Sequence, residues 1–199
     1  MEAAMSVREQ LEAGLSVRGW GATLMRGGER GIAPQGVSEP ALAAGGITEL
    51  TPGESGVGTT GCALRLATGF VGAGPGLRLP GRIAWADPCD RFDPESAERA
   101  GLALERVLWL RGTAKLRGME GLSRWNEILN LVIQSHVVEL VVADFLDWPL
   151  EELRRMPRSA WFRLLRGLEH GGQTALLLLV PAPVASTCVR VRLTPRELM

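Results

Sequence analysis

The residues whose types and spacing best suit chemistry form a glycine-rich segment, Gly53-Glu-Ser-Gly-Val-Gly-Thr-Thr60. Between a strand and a helix, Gly53, Gly56 and Gly58 would let backbone N–H groups curl around phosphate oxygens, and the positive end of the helix would add to the attraction. The Thr60 hydroxyl stands where such loops hold magnesium. The spacing therefore predicts a phosphate-binding loop in a degenerate form.

The missing element of this loop is its cation. Thr59 occupies the position at which a lysine bridges the terminal phosphates, and the single lysine of the chain, Lys115, is distant in sequence. Losing that charge weakens both triphosphate affinity and transition-state stabilisation. Two interpretations stay open. The segment is a tight strand-to-helix turn retained for its packing, which we favour, or it is a weak anion site.

A second segment suited to nucleotide chemistry lies further along the chain. Four apolar residues, 140–143, precede Asp144, whose carboxylate would face magnesium at the end of a buried strand. Many buried strands end in an aspartate, so this pattern gains weight only from its order relative to the glycine-rich segment.

Strands and helices alternate between and beyond these segments. Periodicity predicts strands at 47–50, 82–87, 107–110, 139–144, 174–180 and 187–193, the last alternating like an edge strand. It predicts helices at 60–68, 94–100, 121–136 and 150–169, the last interrupted at Pro157. Such alternation predicts an α/β fold with a mostly parallel sheet and helices on both faces.

The chain divides into three parts by composition. Residues 1–18 form an amphipathic helix with Leu11 and Leu15 on its apolar stripe, residues 19–45 a flexible linker, and residues 46–199 the core domain. The terminal helix either folds back on its own core or docks on a neighbour, and the long linker favours the neighbour.

Charge and composition exclude several classes of protein. Lys+Arg and Asp+Glu both number 22, so the formal net charge is zero and no polyanion-binding surface covers the whole molecule. Three cysteines far apart argue against a disulfide framework or a zinc site. The longest apolar run, 174–180, is far shorter than the roughly 20 residues that cross a bilayer. With no secretory signal, we expect a cytoplasmic protein without membrane contact or bound metal.

The remaining candidates for binding are basic and aromatic side chains. Arg155, Arg163 and Arg166 belong to an arginine-rich helical stretch. We interpret it as a solvated face offset by nearby glutamates, with contact to a phosphate backbone or an acidic partner as the alternative. Trp20 and Trp148, near loops, are candidate interface anchors.

A family resemblance emerges at residues 83–109. Asp87, Asp93-Pro94, Ala97 and Gly101 resemble, in register, the second-strand region of RecA-type recombinases. The glycine-rich segment precedes this region and the strand ending in Asp144 follows it, as in that family. The resemblance implies a RecA-like P-loop NTPase core over residues 46–193.

The departures from the family pattern concern its chemistry. The water-activating glutamate falls at Cys89, where a thiol cannot act as that base, and the adenine-stacking tyrosine falls at Ser96. Only about thirty residues separate Asp144 from Thr174, too few for the first DNA-binding loop. The chain after Val180 leaves no room for the second, and no C-terminal domain is expected.

A RecA-like core with these losses resembles the ImuA family, accessory components of bacterial translesion synthesis. That resemblance implies a non-catalytic adaptor in SOS mutagenesis that contacts a recombinase or an error-prone polymerase, with no required cofactor and with direct DNA contact weak at most. Self-association stays open. One alternative is a weak ATPase that uses Thr60 and Asp144 for magnesium and an arginine in place of lysine. The other is a modulator that caps recombinase filaments.

Overall fold

The computed structural model describes residues 21–26, 42–53, 58–72, 81–113, 116–186 and 188–194. The strands are β1 (Gly21–Arg26), β2 (Ile47–Pro52), β3 (Ile83–Asp87), β4 (Val107–Arg111), β5 (Leu140–Asp144), β6 (Ala175–Leu179) and β7 (Val189–Thr194). The α-helices are α1 (Thr59–Gly72), α2 (Pro94–Arg99), α3 (Gly118–Ser135), α4 (Leu150–Arg154) and α5 (Arg158–Gly171). A 3₁₀ turn, Leu104–Arg106, leads into β4.

The strands form one sheet in the order β1-β7-β2-β6-β5-β3-β4. The six strands from β7 to β4 run parallel, and β1 pairs with β7 in the antiparallel sense. The steps from β2 to β3, β3 to β4, β4 to β5 and β5 to β6 each pass through a helix, because a direct turn cannot return the chain to the same end of the sheet. The step from β6 to β7 has no helix in its described residues. The predicted α/β class with a mostly parallel sheet is confirmed.

Two sequence-based expectations about the margin of the sheet are corrected. The segment 19–45 was expected to be a linker with little structure of its own, but it contains β1. The last strand was expected at an edge, but β7 lies between β1 and β2. Its alternation has another cause, since Val191 and Leu193 are buried under one face while Arg192 on the other face is exposed. The predicted helix at 1–18 lies outside the described residues.

Helices cover both faces of the sheet, as the alternation predicted. Side chains of α1 and α2, such as Leu66 and Ala97, pack with Trp85 and Leu177 on one face. Side chains of α3, α4 and α5 build the second core on the opposite face, around Trp161. The central strands are buried on both sides: every residue of β3, β5 and β6 is buried.

Local sequence explains where the helices begin and end. Asp93 caps α2 by accepting hydrogen bonds from the backbone N–H groups of Glu95 and Ser96. Pro157 separates α4 from α5 because proline lacks the N–H that a continuous helix would need, so the predicted interruption is confirmed. None of the described helices has the length and apolar character needed to cross a membrane.

Candidate functional site

The glycine-rich segment joins β2 to α1 at the carboxyl edge of the sheet, the edge where parallel α/β folds place their ligands. Gly58 has a φ of +69°, a left-handed conformation that glycine adopts without strain. Its carbonyl accepts the Cys62 N–H at 2.9 Å, which starts α1. Thr59 is buried and Thr60 is half-buried, whereas Gly56 lies outside the described residues.

An arginine from another strand contacts the start of this segment. The Arg192 Nη2 of β7 donates a hydrogen bond to the Gly53 carbonyl at 3.3 Å. The parallel pairing of β2 with β7 sets Arg192 beside Thr51, two residues before Gly53. Sequence reasoning did not select Arg192 for this site, because only strand pairing brings it here.

Asp144 is fully buried at the end of β5. Its Oδ1 accepts the Leu146 N–H at 3.2 Å, while Oδ2 lies 4.0 Å from the Arg91 Nε and accepts no hydrogen bond. Burial raises the pKa of this carboxyl to about 6, against the opposing attraction of Arg91. The Arg91 guanidinium also pairs through Nη1 with Asp147, so it bridges the two carboxylates.

Asp87 explains why Arg91 reaches Asp144. The Asp87 carboxylate is buried at the end of β3 and accepts the backbone N–H groups of Arg91 at 2.7 Å and Phe92 at 2.9 Å. It also accepts the Trp109 indole N–H at 3.1 Å. These bonds fold the loop that follows β3 back over the sheet edge. Asp87 therefore organises this loop. Its carboxylate already accepts three hydrogen bonds, so most of its capacity to accept them is used.

Cys89, which the resemblance to RecA-type recombinases would set at the position of the catalytic glutamate, carries a protonated thiol. Burial raises the pKa of the Cys89 thiol above its ordinary value, although the Arg117 Nη1, 3.2 Å from Sγ, opposes this. A thiol protonated at neutral pH neither accepts a proton from water nor acts as a nucleophile. Ser96, at the position of the adenine-stacking tyrosine, is half-buried on α2 and presents no aromatic ring.

The described residues give little support to a magnesium–nucleotide complex of the RecA type, and residues 54–57 of the glycine-rich segment lie outside them. The acid that would face the metal is matched instead by the chain's own guanidinium, Arg91. Among the described residues, no three His, Cys, Asp or Glu side chains converge as metal ligands. In the same part of the chain, no hydrogen bond links the Thr60 hydroxyl to Asp144.

The described residues among those predicted to contact a partner differ in their exposure. Trp148 is only 2% exposed, meets Phe145 edge-on and donates its indole N–H to Glu152, so it is a core residue and not a contact surface. Arg155, Arg163 and Arg166 are exposed. The last two line a cavity of about 680 Å³ between α3 and α5, on the second core's side of the sheet. Leu11, Leu15 and Trp20 lie outside the described residues.

No protein-family model matches the chain, and no curated protein is significantly similar to it in sequence.

Proposed function

We propose that the chain is a RecA-like P-loop core that has lost its nucleotide chemistry and works as a non-catalytic adaptor in the DNA-damage response. On this proposal it links a recombinase or an error-prone polymerase to other components of translesion synthesis through protein–protein contacts. The order of the glycine-rich segment, the Asp87 loop and the strand ending in Asp144 supports the RecA-like part of the proposal.

The observation that carries the proposal is the contact between Arg91 and Asp144. A RecA-like ATPase needs this carboxylate open to magnesium, whereas here a guanidinium 4.0 Å away supplies the positive charge. Thr59 brings no cation to the phosphates, and Cys89 is a protonated thiol where a base is required. Binding, activation of water and charge stabilisation are therefore all weakened at once.

The first test is a titration with a fluorescent ATP analogue in the presence of magnesium, combined with an assay of phosphate release. We expect no saturable binding in the micromolar range and hydrolysis at background. The matched control is Asp144→Ala, which should behave like the wild-type protein. Hydrolysis well above background that is abolished by Asp144→Ala would defeat the proposal.

The second test concerns the cellular role. Deleting the gene from its native host should lower the frequency of mutations induced by ultraviolet light while leaving homologous recombination intact. A gene encoding Asp144→Ala should restore mutagenesis, because the proposed role needs no nucleotide. Unchanged induced mutagenesis in the deletion strain would contradict the adaptor role.

One observation favours a second candidate function, a weak ATP-binding protein. Arg192 contacts the first carbonyl of the glycine-rich segment, and on this candidate its guanidinium would supply the positive charge that a lysine gives elsewhere. This candidate predicts micromolar binding of the ATP analogue that is lost in Arg192→Ala and kept in Arg99→Ala, an exposed arginine of α2 that serves as the matched control. Equal binding by both variants would exclude it.

A further inference from the structure

One face of α5 carries a stripe of exposed side chains that the proposed function does not yet explain. Ser159, Phe162, Arg163, Arg166 and His170 recur at helical spacing and are all exposed. They form one wall of the 680 Å³ cavity, and Gln134 and His136 at the end of α3 form the other. We call this cavity the α3–α5 groove.

The floor of the groove is set by the close approach of the two helices. A Cβ atom added to Gly167 would lie 3.1 Å from the Ile133 Cγ2, and one added to Gly171 would lie 2.6 Å from the His136 ring. Glycine at these two positions lets α3 and α5 meet closely beneath the arginine stripe. The groove is therefore a consequence of helix packing and does not depend on a loop.

The positive charge of the groove is not neutralised within the described part of the chain. Arg163 and Arg166, the two arginines that line the groove, are exposed, and neither forms an ion pair with a described residue. Of the glutamates near the arginine-rich stretch, Glu151 pairs with Arg154 and Glu152 accepts the Trp148 indole N–H. Only Glu169 stays as an exposed acid on α5. The expected offset by glutamates is thus partial, since Glu151 pairs with Arg154 and Glu169 lies three residues after Arg166 on the same helix.

Apolar side chains border the same arginines. Phe162 is 46% exposed within the groove, and Leu131, one turn before Gln134 on α3, is 66% exposed. Arginine and aromatic residues together are enriched in protein–protein interfaces, where an aromatic side chain anchors the contact and charges set its register. Because the net charge is zero, no basic surface extends over the whole molecule, and the positive charge is local to these arginines.

From this geometry we propose that the α3–α5 groove is a docking site for an acidic segment of a partner protein. Two carboxylates of the segment pair with Arg163 and Arg166, and an apolar side chain between them packs against Phe162. The inference deepens the adaptor role and rests on it for its biological meaning. It replaces the predicted contact through Trp148 with a contact through Phe162.

The test begins with a random dodecapeptide library displayed on phage. The library is selected in parallel on the full chain and on the R163E/R166E variant. We expect enriched peptides to carry an excess of Asp and Glu around a Leu, Ile or Phe. Enrichment of peptides without that acidic excess would overturn the proposal, as would equal enrichment on the variant.

Affinities are then measured by fluorescence anisotropy, with one enriched peptide and oligothymidine of similar charge as the probes. R163E/R166E should weaken peptide binding by about 10- to 100-fold, the range in which disrupted interface charge pairs fall. Phe162→Ala should weaken it too. The control R99E/R124E makes the same change in net charge at two exposed arginines outside the groove and should leave affinity unchanged.

The same measurements also distinguish a nucleic-acid site from a peptide site. If oligothymidine binds more tightly than the peptide and this binding is lost in R163E/R166E, the groove is a nucleic-acid site and the proposal is overturned. If R163E/R166E does not keep the wild-type melting temperature, R163Q/R166Q removes the charges without reversing them and is judged by the same criteria. The peptide selection tests only the groove, whereas the ATP titration and the deletion phenotype test the adaptor role. Either proposal can therefore be contradicted without the other.

Discussion

At the scale of single residues, the carboxyl edge of the sheet is governed by buried acids with different partners. Asp87 accepts three N–H groups, while Asp144 accepts one and keeps an oxygen without a hydrogen bond. Arg91 compensates for part of that deficit from 4.0 Å. Asp87 therefore organises the loop after β3, whereas burial without full hydrogen bonding raises the pKa of Asp144.

The raised pKa of Asp144, about 6, gives a prediction with a definite sign. Its folded-state pKa exceeds that of the unfolded chain. Burial of Asp144 therefore does not lower the free energy of unfolding below about pH 4, where the carboxyl is neutral, and lowers it by the full amount above about pH 6. Relative to wild type, Asp144→Asn should therefore gain up to about 2–3 kcal/mol in free energy of unfolding between pH 4 and pH 7. Urea denaturation across this range measures the difference. A constant difference at every pH would contradict the assignment.

Glu49 on β2 is a buried acid whose partners are complete. It is fully buried, accepts the backbone N–H groups of Val184 and Ala185 at 2.8 Å each, and forms an ion pair with Arg190. Cys188 lies 3.6 Å from its Oε2, and burial raises the pKa of that thiol to about 12. This carboxylate fastens the chain between β6 and β7 to the centre of the sheet.

Removing the Glu49 carboxylate should be strongly destabilising. Glu49→Ala leaves the Arg190 guanidinium and two backbone N–H donors without their acceptor. We therefore expect a loss of about 3–5 kcal/mol in the free energy of unfolding, the range for a broken buried ion pair. Glu49→Gln keeps an acceptor and should lose less. Urea denaturation at pH 7 measures both variants. Equal stability of Glu49→Ala and wild type would show that the 181–188 segment does not depend on this acid.

At the scale of elements, the loops after β3 and β4 are held against each other. The Gly112 N–H donates to the Asp87 carbonyl at 2.8 Å, and the Arg111 guanidinium binds both carboxylate oxygens of Asp90. Asp90 itself has a φ of +59°, a left-handed conformation uncommon outside glycine. Packing at Gly112 thus controls the loop that carries Arg91.

Glycine-to-alanine substitutions separate this packing from ordinary helix propensity. A Cβ atom on Gly112 would lie 2.3 Å from the Pro88 carbonyl oxygen, so Gly112→Ala must displace backbone and should cost about 1–3 kcal/mol or more. Gly69, within α1, has no atom within 4 Å of the added Cβ, and Gly69→Ala should stabilise by about 0.5–1 kcal/mol. Thermal denaturation compares them. A destabilised Gly69→Ala or a tolerated Gly112→Ala would contradict the packing described.

At the scale of the whole molecule, two hydrophobic cores share one sheet. Trp85 belongs to the core beneath α1 and α2, whereas Trp125 and Trp161 belong to the core beneath α3 and α5. Alternate residues of the same strands enter both cores, so neither core forms without the strands that build the other. The described part of the chain is therefore expected to unfold as a unit.

This expectation is tested by following urea denaturation with two probes. Far-UV circular dichroism reports the whole fold, and tryptophan fluorescence of Trp85→Phe reports mainly the core beneath α3 and α5. The two midpoints should coincide for wild type and for the variant, as in a two-state transition. A fluorescence midpoint clearly above or below that of circular dichroism would show that the two cores unfold separately.

The amino-acid sequence alone determined the order and type of the elements from residue 47 onward. Continuous apolar runs marked β5 and β6, helical spacing marked α3, and Pro157 marked the break between α4 and α5. These features are local, since hydrophobic period, caps and proline act within a few residues. The same information placed the glycine-rich segment and Asp144 at strand ends, and hence at one edge of a parallel sheet.

The tertiary structure alone decided what those residues meet. Strand pairing set Arg192 against Gly53, and the loop folded by Asp87 carried Arg91 to Asp144. The pairing of β1 with β7 and the burial of Trp148 also had no local signal. The physical reason is that a parallel sheet joins residues far apart along the chain, so contacts at its edge depend on strand order and loop path, neither of which hydrophobic periodicity encodes.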